Sequence, residues 1–173
     1  MQLLSVTAGT NTLFITGGIS GPGGVSIPGT GTVLFVAANT YTGTTTVAAG
    51  TLRLGADERI ADASPLRLTG GVFDLKGFSE TVGALDVDGA ATIDFGTSAC
   101  TLTCADSAGI AWDGTLLLRN LKPGGANHFF VGDAATLSAA QLAKIISPSQ
   151  QIAKQRANGE VILLPPGTLI RVR

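Results

Sequence analysis

The residues best equipped for chemistry lie in four places. These are Asp86-Val87-Asp88-Gly89, the thiols Cys100 and Cys104, the corner Asp57-Glu58-Arg59 with Asp62 and Arg67 beyond it, and the single histidine His128. Alternating aspartates followed by glycine hint at a calcium loop, but such a loop needs further oxygen ligands and a distal glutamate. Those are missing, so Asp86 and Asp88 are expected on a strand, turned toward solvent. The cysteines flank Thr101-Leu102-Thr103. If that run is a strand, their Cα atoms lie roughly 13 Å apart at about 3.3 Å per residue, whereas a disulfide needs less than about 7 Å. An intramolecular bridge then requires a turn. Two half-buried free thiols are the plainer reading and an intermolecular bridge the sharper one. With no third cysteine and one distant His128, zinc does not fit.

Polysaccharide-cleaving β-helices group acids and a base on one face. Asp57, Glu58 and Arg59, or Asp62 with Arg67, offer a thin version of that grouping, and a solvated corner explains them more simply. His128 has no carboxylate or nucleophile near it in sequence, so a hydrolytic triad is not indicated. Gly21-Pro22-Gly23-Gly24 and Gly29-Thr30-Gly31 lack the lysine and following helix of a phosphate loop and read as corners. The expectation is a protein without catalytic residues, cofactor or metal.

What must position these residues is set by composition. A chain of 173 residues can bury one real core. Charged residues make up 13% and aromatics 5%, while glycine is abundant at 24 residues. Mean hydropathy is +0.38, yet no apolar run approaches the roughly 18 residues of a membrane helix. The hydrophobicity is spread through many short runs, as when each strand has one buried face. A net charge of −1 without a basic stripe excludes nucleic-acid binding. The start Met1-Gln2-Leu3-Leu4-Ser5 lacks the basic and apolar regions of a secretory signal. Low charge with Thr and Gly richness points to a mature or excised surface chain rather than an intracellular one.

The stretch Gly31–Gly55 joins three short Thr- and Val-rich runs through Gly and Asn corners. It echoes along the chain. One series runs through Thr12–Ile15, Thr32–Val36, Thr51–Leu54, Val72–Leu75 and Ala91–Phe95. A second runs through Val25–Ile27, Thr45–Val47, Leu66–Leu68, Leu85–Val87 and Leu102–Cys104. Both recur at close to 20 residues, the mark of a coil that returns to the same place each turn. A lone coil cannot bury its inward side chains, but coils stacked about 4.8 Å apart pair in parallel and build an apolar column. In Leu52-Arg53-Leu54 and Leu66-Arg67-Leu68 the leucines point in and the arginines out. The fold class is therefore all-β, a right-handed parallel β-solenoid with coils of about 20 residues.

Residues 1–108 form the repetitive coils, and 109–173 a continuation and cap. Thr115–Leu118 and His128–Val131 read as strands, and Leu137–Ile146 as the one helix, capped by Thr136 or Ser138 and stopped at Ser147-Pro148. Leu137, Leu142, Ile145 and Ile146 suit a helix lying across an open solenoid end. Two apolar runs, Glu160–Leu164 and Thr168–Arg173, close the chain, the latter a charged and protected edge.

Gly29–Leu34, Ala38-Asn39-Thr40-Tyr41-Thr42-Gly43, Ala49–Gly55, Gly70–Leu75 and Phe78–Leu85 resemble the autotransporter-associated β-strand repeat, also called the passenger-associated transport repeat. Trp112–Leu116, Phe130–Gly132, Leu137–Leu142 and Gly159–Val161 look like the C-terminal portion of large bacterial surface proteins built from such repeats. The resemblance implies a secreted right-handed β-solenoid that acts as stalk or spacer and assists export, with no catalytic residues to transfer. A membrane β-barrel would need far more chain, so a complete autotransporter is not expected.

Three functions follow. The first is an extracellular or cell-surface structural solenoid that assembles end to end into a filament or stalk, Leu3, Leu4 and Val6 of one subunit pairing with Leu169, Ile170 and Val172 of the next. The second is an export-assisting spacer within a longer passenger. The third is a carbohydrate-binding or carbohydrate-cleaving β-helix, whose partner would be a cell-surface glycan.

Overall fold

A computed structural model describes residues 3–165 and Gly167. The chain coils upward as a β-solenoid. The first turn carries β1 (Leu3–Ser5), β2 (Thr12–Ile15) and β3 (Ser20–Gly21), and the second β4 (Gly24–Ile27), β5 (Thr32–Phe35) and β6 (Thr40–Tyr41). There follow β7 (Thr45–Val47), β8 (Thr51–Leu54), β9 (Leu66–Leu68), β10 (Val72–Asp74), β11 (Glu80–Val87) and β12 (Ala90–Asp94). Above them come β13 (Thr101–Ala105), β14 (Thr115–Arg119), β15 (His128–Val131), α1 (Ala139–Ala143), β16 (Ile145–Ile146), β17 (Ile152–Gln155) and β18 (Val161–Leu164).

One seven-stranded parallel sheet stacks β2-β5-β8-β10-β12-β14-β16. Its register runs Thr12, Thr32, Thr51, Val72, Thr92, Leu117, Ile146, so successive coils take 20, 19, 21, 20, 25 and 29 residues. The period near 20 holds through Thr92 and the coils lengthen above it. Alternation decides which residues bury. Val33, Leu52, Phe73, Ile93 and Leu118 form one inward stack at 0% exposure, while the outward neighbours Arg53 and Asp74 pair at 2.7 Å. Each such Leu, Ile or Phe contributes about 1.5–3 kcal/mol by leaving water. Phe95 and Phe129 meet edge to face at 6.1 Å in the same core.

Corner glycines allow the coils to approach. Gly50 has φ +61°, and a Cβ there would press on the carbonyls of Gly29 and Gly31 in the coil beneath.

The second series of strands needs correction. Leu4, Val25, Thr45, Leu66 and Leu85 stack in register, but Leu102–Cys104 does not lie above Leu85–Val87. Strand β11 turns the corner between two columns. Its Leu85–Val87 rests on β9, whereas its Glu80–Val82 supports Leu102–Cys104. Above Leu85–Val87 lies instead the non-strand segment containing Ser107, Trp112 and Gly114, whose groups bond to Leu85 and Val87. The step from Leu85 to Leu102 is 17 residues, too short for one coil, and that was the available signal.

The helix also differs from its predicted span. It covers only Ala139–Ala143, capped by Ser138, whose hydroxyl accepts from Gln141 N while the Gln141 side chain bonds back to Ser138 N–H. Ile145 and Ile146 leave it before Ser147-Pro148 to pair with Leu116 and Leu117 of β14. β-Branched residues gain more in that ladder than in a last helical turn. The helix buries Gln141 rather than an apolar stripe, and Ile146 is exposed. Strand β17 was not read from the sequence. It pairs antiparallel with β18, so this part of the chain is a hairpin and not another coil. Among the described residues no helix is long and apolar enough to cross a membrane.

Candidate functional site

Most of the chemically equipped residues are occupied in joining coils, while the Asp62 carboxylate takes no part among the described residues. The Glu80 carboxylate accepts the Arg59 and Ile60 N–H groups at 2.8 and 3.2 Å, and burial pushes its pKa up to about 8. Asp57 accepts from Ser79 N–H, and Glu58 from the N–H and hydroxyl of Thr81. The Arg59 guanidinium donates to the Val36 and Asp57 carbonyls. Arg67 pairs with Asp86 and Asp88 rather than with Asp62. That pairing turns the suspected calcium motif into a cross-coil ion cluster. Asn39 works the same way without charge: its Oδ1 accepts from Ile19 N–H below and its Nδ2 donates to the Arg59 carbonyl above.

Both cysteines are free and fully buried, not half-buried. Burial raises the Cys100 thiol to about 11 and pushes Cys104 higher still, away from the thiolate that reacts. His128 has the carboxylate that sequence proximity did not reveal, with Nδ1 2.8 Å from Glu160 Oε1. Arg156 holds the other oxygen, and the His128 hydrogen bond, with Arg156 assisting, keeps the Glu160 pKa below its ordinary value. The trio fastens the terminal hairpin to β15, beside the Phe130–Glu160 bridge. These groups staple a stack.

The two ends of the stack are built differently. At the N-terminal end β1, β2 and β3 pair on one side only among the described strands. Leu4 and Leu13 stand in register with the buried Val25 and Val33, yet they are 46% and 37% exposed because no described coil lies beneath them. Leu3 and the outward-facing Phe14 are 60% and 59% exposed. Of the expected edge residues, Leu3 and Leu4 lie open, whereas Val6 is buried and bonded to Ser26. Leu13 and Phe14 were not singled out, although Thr12–Ile15 opens the first strand series. No side chain in residues 1–52 is charged, so this edge lacks the lysines and acids that ordinarily protect one.

At the other end α1 and the β17–β18 hairpin lie over the last coil. Gln141 Nε2 donates to the Ser107 and Ile110 carbonyls, and Gln155 joins Leu137 N–H to the Val131 and Gly159 carbonyls. Val161 and Leu163 seal the core. The other expected edge residues, Leu169, Ile170 and Val172, lie outside the described residues.

No family model matches the chain, and no solved structure matches it. The chain is similar to the adhesin BmaC autotransporter of Brucella suis biovar 1 (strain 1330), with 30% identity over 141 residues. That alignment takes in 78% of this chain and 4% of the adhesin, so the chain spans a small part of the relative it matches. The similarity agrees with the surface-protein resemblance carried by the Ala38–Gly43 corner, at the coarser level of a surface-protein module.

Proposed function

We propose that this chain is a structural β-solenoid module of a bacterial surface protein, a stalk or spacer whose N-terminal face rests on a further β-coil. The observation that carries the reading is the asymmetry of the ends among the described residues, an uncharged open face opposite a covered one. Similarity to part of a much longer autotransporter adhesin supports an extracellular or cell-surface setting. Acids and amides spent on backbone groups of neighbouring coils suit a structural role rather than a reaction.

End-to-end self-assembly is the second reading, favoured by the same unprotected edge. The covered C-terminal coil weighs toward the first. Light scattering and electron microscopy of the concentrated protein separate the two: dispersed single particles are expected, and regular polymers would transfer the reading to a filament. The first reading fails if the complete reading frame encodes no further β-coil repeats.

A further inference from the structure

We infer that the N-terminal face selects its neighbour by shape, taking a β-coil that presents a bulky aromatic side chain directly beneath Gly21. The inference rests on the reading of that face as a stacking surface.

In the corner column Ser20-Gly21 lies under Thr40-Tyr41 in register. Tyr41 is 1% exposed, and its hydroxyl is 2.6 Å from Thr45 Oγ1, which continues to Ser64. One coil lower the inward position is Gly21, at φ +113°, where a Cβ would meet nothing within 4 Å. Its backbone angle favours glycine here, but close packing does not, unlike at Gly24, where a Cβ would collide with the Thr44 carbonyl. Gly21 leaves a recess of about 280 Å³, lined by Leu4, Ile19, Pro22 and the Tyr41 ring among others. Since one water takes about 30 Å³ of liquid, the space accommodates a large side chain.

The occupant's chemistry follows from the surroundings. The open face continues the coil-to-coil interface that repeats along the solenoid, so an added coil pairs in parallel about 4.8 Å below. Alternation then aims its residue under Gly21 into the recess, as Tyr41 is aimed above it. A charged side chain finds no counter-charge in residues 1–52, and a small one leaves a void. Among the described residues a second copy of the chain presents no such coil, because α1 and the β17–β18 hairpin lie over its last one. The occupant is a coil of another solenoid segment, uncharged and aromatic at this position.

A peptide of sequence Val36–Ala48 carries the Asn-Thr-Tyr-Thr-Gly corner and serves as the probe coil. Its binding to the whole protein is measured by calorimetry, with amide shifts at Gly21 and Tyr41 locating the site. The same peptide with Tyr41→Gly is expected to bind about tenfold more weakly or worse. Equal binding of the two peptides would overturn the shape selection and leave the stacking reading standing. Failure of both to bind would remove the stacking reading and this inference with it. Dimerisation of the protein through the same amides would make a second copy the occupant and overturn the assignment.

Discussion

Glu80 shows how a residue equipped for acid–base chemistry becomes part of a scaffold. It is buried at 1% exposure, faces two backbone N–H groups, and has Glu58 and Arg59 close by with opposing influence. Burial is the largest influence and lifts its pKa from 4.5 to about 8. The folded state therefore binds a proton that the unfolded chain has released between those values. Its contribution to stability is full below about pH 4.5 and is lost as pH rises through 8, at no more than about 1.4 kcal/mol per unit. The urea midpoint should fall between pH 5 and 8, and Glu80→Gln should flatten that decline. Glu160, whose pKa is lowered, contributes the opposite slope only in the acid range below this window. A slope that survives in Glu80→Gln would assign it elsewhere.

Among the elements, the short helix matters for what it plugs. Gln141 reaches from α1 to two carbonyls of the wide coil below, at 2.9 Å each. Gln141→Leu should cost about 2 kcal/mol, because it takes the side-chain donor from the Ile110 carbonyl, leaves the Ser107 carbonyl only the Ile110 N–H, and removes the Gln141 half of the capping box, and Ser138→Ala about 1 kcal/mol by removing the cap. Thermal unfolding should rank them in that order, and equal losses would mean that the cap alone matters. The elements also mark the limit of reading by period. The strands of the first series through Ala90–Asp94 were legible, because each needs only its own alternation and the neighbour one turn away, whereas the two-residue strands Ser20–Gly21 and Thr40–Tyr41, too short to alternate, read as corners. Strand β11 was misplaced in the stack because its eight residues serve two columns, a decision made by the corner and not by hydrophobic pattern. Ile145-Ile146 belongs to a strand because Leu116 and Leu117 stand ready to pair, which no local pattern reveals. The His128–Glu160 pair was invisible for the same reason, being 32 residues apart in sequence and adjacent only through the hairpin.

For the whole molecule, six steps of about 4.8 Å make the seven-strand column roughly 29 Å tall. Stability in such a stack is a sum over neighbours, so a coil with one described neighbour is the easiest to open. Hydrogen exchange should be fastest at Leu13 and Phe14, slower at Val33 and slowest at Leu52 and Phe73. A uniform rate along this column would mean that the N-terminal face is already occupied in solution. Leu4→Lys and Leu13→Lys should leave the fold intact, because both side chains already lie partly in water. They should also weaken whatever pairs with that end.

The absence of charge from residues 1–52 reaches beyond edge protection. A joint made there has no Coulomb attraction for salt to screen and no titrating side chain for acid to neutralise. It would hold alike in fresh water, brine or an acidified medium, and would weaken mainly on cooling, as apolar contacts do. If the face stacks outside the cell as proposed, such a joint would be indifferent to a medium the cell does not control.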